Sequence, residues 1–236
     1  MEILRNNNVV EKTTLQQADQ IVTFEITDLR PAVKNENRVN VYINEKFAFS
    51  LDLTQVVDFK LKRGQKITPA ELSKYQKASN FGKLYQRTLE WVLIRPRSVR
   101  EAKDYLNKKK YQKPEYEISD EDIAAVIARL IDKRYLDDAK FAEYYIENRF
   151  QKKGISSKRL RLELTKKGIA PEQIEIAFAK IGRNDEEEIK KIINKKRARD
   201  DDDKLIQYLV RQGFDFELAR NCVRETAYPN SAQTLP

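Results

Sequence analysis

The chain has 236 residues, with 46 lysines and arginines against 37 aspartates and glutamates, a net charge of +9 and a pI near 9.4. It has no histidine and a single cysteine, Cys222, which excludes an intrachain disulfide, a cysteine zinc site, histidine-based triads and His-metal centres. With 35% charged residues, a mean hydropathy of −0.73, six glycines and seven prolines, it reads as a soluble protein and not as a β-sandwich or a long disordered tail. No apolar run approaches the ~18 residues of a membrane span. The N-terminus lacks a secretory signal's apolar core, which leads to the expectation of a cytoplasmic protein. A basic balance favours nucleic acid, an acidic protein surface or an anionic membrane as partner.

Residues 1–20 are polar and asparagine-rich and are expected to be loosely ordered. Ile21–Asp28, Arg38–Ile43 and Phe47–Leu51 are β-rich, and Asn44, Glu45 and Lys46 suit a hairpin loop. This predicts an antiparallel sheet of about three strands. Such a sheet is marginal alone and should pack on a helix, for which Leu53–Phe59 and Thr68–Phe81 are the candidates. Thr68, Pro69 and Glu71 form a helix start, with threonine as cap, proline in the first turn and glutamate at the third position.

Beyond Gly82 every long segment has helical character. Three strings align: YLNKKKY at 105–111, ELTKKGI at 163–169 and YLVRQGF at 208–214. Each has leucine second, a basic residue fourth and a large apolar residue last, and two have glycine sixth (Gly168, Gly213) where the first has Lys110. Polar-capped helices precede them (Ser98–Leu106, Ser156–Leu164, Asp201–Leu209), and others follow (Asp120–Ile131, Pro171–Ile181, Phe216–Glu225). A leading helix opens each unit: Leu84–Arg95, Asp137–Phe150 and Asp185–Arg197. The expected organisation is a flexible start at 1–20, a sheet-and-helix extension at 21–82, three-helix units at 84–131, 132–182 and 183–226, and a flexible tail at 227–236. A unit of ~45 residues has little core of its own and needs its neighbours. Helix–turn–helix units of this kind can enter a DNA groove, but more often they are a packing solution.

Arg134–Gly168 is the best-formed copy. Asp137 and Asp138 can cap its first helix, and Phe141, Ala142, Tyr145 and Ile146 recur at helical spacing. Gly154 breaks the pattern, Ser156 or Ser157 caps a second helix, Leu160 and Leu164 set its apolar stripe, and Gly168 suits a left-handed end. Lys140, Arg149, Lys152, Lys153, Lys158, Arg159, Arg161, Lys166 and Lys167 outnumber Glu143, Glu147 and Glu163 by nine to three. These cations are the candidate binding residues. They could take phosphates without sequence preference or complement an acidic protein surface. Phe141, Tyr145 and Trp91 read as core residues, which leaves Tyr144 as an aromatic free for contact. Cys222 reads as a small core residue. The acidic run Asp200–Asp203 fits a helix cap with a solvated face and lacks calcium-loop spacing. Glu186, Glu187 and Glu188 fit the first turn of a helix capped by Asp185. No phosphate-binding loop or acid/base pair occurs, so no metal, cofactor or catalytic residue is expected.

Tyr135-Leu136-Asp137-Asp138, Phe141-Ala142, Arg149, Gly154, Arg161, Leu164 and Lys167-Gly168-Ile169 resemble the signature of the RecX family, bacterial regulators of the RecA recombinase. Pro96, Arg97, Ser98 and Leu106, and the unit at Leu205–Val223, are similar to its first and third repeats. The likeness covers about residues 84–226, and the sheet at 21–53 is similar to the N-terminal extension of longer members. It implies a mainly α fold: tandem three-helix repeats in an elongated curved array with a small N-terminal antiparallel β element. It implies a monomeric, non-enzymatic partner of RecA and of the RecA–single-stranded DNA filament, and leaves direct contact with DNA open. Lodged in the filament groove, it would suppress ATPase, recombinase and coprotease activity. A DNA-binding protein or transcriptional regulator acting on DNA directly is the alternative. Lys110 in place of glycine and the acidic opening of the third unit depart from the family pattern.

Overall fold

A computed structural model of the chain describes residues 23–33, 35–112, 118–197 and 201–227. The expectations for residues 1–20, most of the polar insertion at 112–119, Asp200 and the tail from 228 lie outside these ranges. The chain divides into two compact units, Met1–Gln86 and Arg87–Pro236.

The first unit is built on strands β1 (Phe24–Ala32), β2 (Asn35–Ile43), β3 (Lys46–Asp52) and β4 (Lys66–Ile67). They form an antiparallel sheet in the order β3-β2-β1-β4. The hairpin between β2 and β3 is tighter than the three-residue loop expected. Asn44 and Glu45 both take left-handed backbone (φ 48° and 65°), so Lys46 is already in β3. That turn matches the twist of the strands it joins. The two-residue β4 was not expected, because two residues carry no alternation to detect. Ile26, Val41, Ile43, Phe49, Leu51 and Ile67 are buried on one face. Against them pack helix α1 (Leu53–Asp58), capped reciprocally by Asp52 and Gln55, and helix α2 (Pro69–Leu93).

Helix α2 corrects the sequence reading, which placed a break at Gly82 between two helices. Glycine costs a helix only about 1 kcal/mol, and here it serves a close approach. A Cβ at Gly82 would lie 3.3 Å from the Gln55 side-chain oxygen and 3.4 Å from the Arg38 guanidinium. Gln55 also donates to the Ala78 carbonyl (2.9 Å), and the buried Ser79 hydroxyl donates to the Ser50 carbonyl (2.6 Å).

The second unit continues with α3 (Val99–Gln112), α4 (Asp120–Asp132), α5 (Asp138–Asn148), α6 (Ser157–Lys166), α7 (Pro171–Ile181), α8 (Asp185–Lys196), α9 (Asp202–Arg211) and α10 (Phe216–Ala227). The fold is therefore mainly α with a small N-terminal antiparallel sheet. Phe141, Ile146, Leu160, Leu164, Ile174 and Phe178 form one core from α5, α6 and α7. Ile189, Ile193, Leu205, Leu209, Phe214 and Val223 form a second from α8, α9 and α10, which also holds the buried Cys222. Gly168 and Gly213 end α6 and α9 with φ of 84° and 91°. Lys110 cannot take that conformation cheaply, so α3 runs on through the equivalent position to Gln112, and Lys110 pairs with Asp120 at 2.8 Å.

Candidate nucleic-acid and protein interface

Three hydrogen bonds recur at two places in the second unit. Ser98 caps α3 by accepting from the Glu101 N–H (3.1 Å), and Ser156 caps α6 by accepting from the Arg159 N–H (3.3 Å). Each serine is fully buried and donates its hydroxyl proton onward, Ser98 to the Lys167 carbonyl (2.9 Å) and Ser156 to the Gln212 carbonyl (2.7 Å). The next backbone N–H donates to an aspartate opening a later helix, Val99 to Asp138 (2.8 Å) and Ser157 to Asp185 (2.7 Å). By sequence, Asp137 and Asp138 are both candidate caps of one helix and Asp185 that of the other. The caps are in fact Asp137 and Asn184, and the second acidic residue of each pair ties one helix to another.

A buried ion pair closes the junction between α5 and α8. The Arg183 guanidinium donates to the carbonyls of Ile146 (2.5 Å) and Arg149 (2.8 Å), which the end of α5 leaves unpaired, and to Glu188 (2.6 Å). Glu188, 1% exposed, also accepts from the Ile155 N–H (3.0 Å) and from Lys191 (2.6 Å). Burial alone would raise its carboxyl, but the hydrogen bonds from Arg183, Lys191 and Ile155 outweigh it and hold the group below the ordinary glutamate value. The expectation that Glu188 is simply a first-turn carboxylate missed this role, because spacing does not reveal that α8 lies against the turn before α6. The signal was Gly154. A Cβ there would sit 2.5 Å from the Glu188 carbonyl oxygen, and its φ is 77°.

The nine candidate cations fall into two groups. Arg149 donates to Glu163 (2.8 Å), Arg161 grips Glu175 with two bonds (2.7 and 2.9 Å), and Lys167 reaches Glu101 (2.5 Å). Arg159 donates to the Gln212 side chain (2.7 Å) and lies 3.5 Å from Glu163. Glu163 also accepts from Tyr145 (2.6 Å); burial, then that bond, push the Tyr145 hydroxyl up to about 12. These four cations hold helices together. Lys140, Lys152, Lys153, Lys158 and Lys166 are exposed, and their ammonium groups form no ion pair with a described residue. On α6, Lys158, Leu162 and Lys166 follow at four-residue spacing and so share one face, opposite the buried Leu160 and Leu164; Leu162 is itself exposed. Tyr144 is half-buried. Trp91 is half-buried too, stacked on Tyr105 at 4.4 Å with the Arg97 guanidinium 4.0 Å from its ring.

Among the described residues no three metal-binding side chains converge, and no helix is long and apolar enough to cross a membrane. What stands out is a cationic helix face on a framework of repeated serine-capped junctions. That defines a tandem-helical protein with a basic outer surface. The family model of the regulatory protein RecX N-terminal domain matches residues 24–68, and that of the RecX second three-helix domain matches residues 137–177. The regulatory protein RecX of Bacillus licheniformis is 30% identical over 213 residues, covering 87% of this chain and 78% of that protein. The Bacillus subtilis (strain 168) protein of the same name is 29% identical over 217 residues, covering 89% and 80%. A crystal structure of regulatory protein RecX superposes with a TM-score of 0.62 at 20% identity, over 83% of this chain and 96% of that one, a likeness of fold. The chain belongs to the RecX family of regulatory proteins.

Proposed function

We propose that this protein is a non-enzymatic, cytoplasmic regulator of the RecA recombinase. It binds RecA and the RecA–single-stranded DNA filament as a monomer, lodges in the filament groove, and inhibits the ATPase, recombinase and coprotease activities. Membership of the RecX family supports the choice of partner. The observation that carries the site is the set of exposed lysines, Lys140, Lys152, Lys153, Lys158 and Lys166, which no described carboxylate neutralises. A nucleoprotein filament offers both phosphates and acidic protein surface to such a face. The three-helix units at 84–131, 132–182 and 183–226 supply successive positions along it. Inhibition requires different affinity for the active and inactive filament, because equal affinity for both shifts nothing. Direct action on DNA as a transcriptional regulator is the second reading; it predicts marked sequence preference on duplex DNA without RecA. Co-sedimentation with RecA–single-stranded DNA filaments, against DNA alone and RecA alone, separates them. Retention that depends on the filament supports the first reading. Sequence-selective retention on duplex DNA alone, with nothing gained on the filament, contradicts it.

A further inference from the structure

A cleft of about 260 Å³ opens between the turn after α5 and the helix α9, lined by Phe150, Lys153, Arg159, Ile192, Tyr208 and Gln212 among others. Its chemistry differs from that of two larger cavities. The one of about 540 Å³ at Ser157, Lys158 and Gly213 includes Asp185 and Asp215, and the one of about 480 Å³ at the sheet includes Glu25, Asp28 and Glu45. No carboxylate lines the smaller cleft. It offers two aromatic rings, two cations and an amide.

Both rings are steadied by cations. The Arg149 guanidinium lies 3.7 Å from the centre of the Phe150 ring and the Lys196 ammonium 4.1 Å from that of Tyr208. A ring has two faces, and both rings still line the cleft. Phe150 also adopts φ 48°, a left-handed backbone that glycine takes freely and a bulky residue takes only at a cost. Its ring packs against the α5–α7 core and also lines the cleft, so the turn fixes where the ring stands. Of the lining cations Lys153 is exposed, and next to it in the chain the Lys152 carbonyl accepts from the Lys195 ammonium. Arg159, with its side chain bonded to Gln212 (2.7 Å), places a guanidinium and an amide beside the rings.

We infer that this cleft is a stacking site for an unpaired base of single-stranded nucleic acid, with Phe150 and Tyr208 against the base and Lys153 and Arg159 on the flanking phosphates. A cleft lined by two aromatic rings accepts a splayed-out base and not a paired one, whose faces are already covered in a duplex. Stacking is indifferent to base identity, so the site reads strandedness and not sequence. The inference goes beyond binding to the filament, since it needs no RecA.

The test therefore leaves RecA out. The whole protein is titrated with a labelled oligothymidylate of about 15 nucleotides, within the usual range for such sites, and with a duplex and an abasic strand of equal length. The single strand is expected to bind more tightly than either. Phe150→Leu and Tyr208→Leu, which keep apolar volume and remove the ring, are each expected to weaken single-strand binding about tenfold. Both should leave the salt dependence unchanged, because the phosphate contacts remain. Parental affinity in folded variants, or equal binding of the abasic strand, overturns the inference. Photocrosslinking of an iododeoxyuridine strand to the unaltered protein decides the case if a variant fails to fold. Crosslinks at Phe150 or Tyr208 support the site, and crosslinks confined to other residues overturn it.

Discussion

The Ser156 hydroxyl donates to the Gln212 carbonyl at 2.7 Å, and Ser98 repeats the bond on Lys167 at 2.9 Å. One buried serine thereby closes the start of its own helix and holds the end of another, so cap and junction are the same atom. The third cap is Asp201, which is exposed and accepts from the Lys204 N–H (2.9 Å). A carboxylate accepts and cannot donate onward. The series of donor caps thus stops at the third helix of its kind.

Ser156→Ala removes both functions. Loss of the cap costs about 1 kcal/mol, and the abandoned Gln212 carbonyl adds about 1–3 kcal/mol. Urea unfolding of this variant is expected to show a loss well above that of Asp201→Ala, where only a solvated cap is removed. Equal losses would show that the serine's second bond contributes nothing.

Gly154→Ala and Gly182→Ala separate backbone strain from close approach. Both glycines have left-handed backbone, φ 77° and 68°, but a Cβ at Gly182 meets open space while one at Gly154 meets the Glu188 carbonyl and Ile192. Gly182→Ala should cost about 1–2 kcal/mol, the price of the left-handed conformation alone. Gly154→Ala adds a clash and should lower the unfolding midpoint considerably further. The reverse order would refute the junction geometry.

Glu188 makes the junction sensitive to acid. Its folded carboxyl is held below the ordinary value of 4.5, so its contribution is complete above that pH and is lost as pH falls through the folded value. Glu188→Ala strands the Arg183 charge and should cost about 3–5 kcal/mol at neutral pH. Glu188→Gln should be less stable than the parent at pH 7, with the gap narrowing below pH 4.5. A gap that stays constant into acid would show that the charge is not what binds the two helices.

Much of this architecture was legible in the sequence. Helix starts at Asp137 and Asp201 and ends at Gly168 and Gly213 are local chemistry, and local chemistry is written in adjacent residues. What the sequence hid is non-local. Asp138 and Glu188 look like first-turn carboxylates until a distant N–H is seen to point at each. Gly82 looks like a helix break until Gln55 and Arg38 are seen against it. The basic face was legible as composition only. Nothing in the spacing separates Arg161, locked to Glu175, from Lys158, three residues earlier and exposed. Charge reversal at Arg149 or Arg161 would therefore test folding as much as binding.

The exposed lysines give the cleaner measurement. RecA-catalysed ATP hydrolysis on single-stranded DNA is followed with the parent protein and with a variant carrying Lys152→Glu, Lys153→Glu, Lys158→Glu and Lys166→Glu, shown to be folded by circular dichroism. The parent should suppress hydrolysis, and the variant should require at least tenfold more protein for the same suppression. Undiminished inhibition by the folded variant would contradict the assignment of this face as the surface that grips the filament.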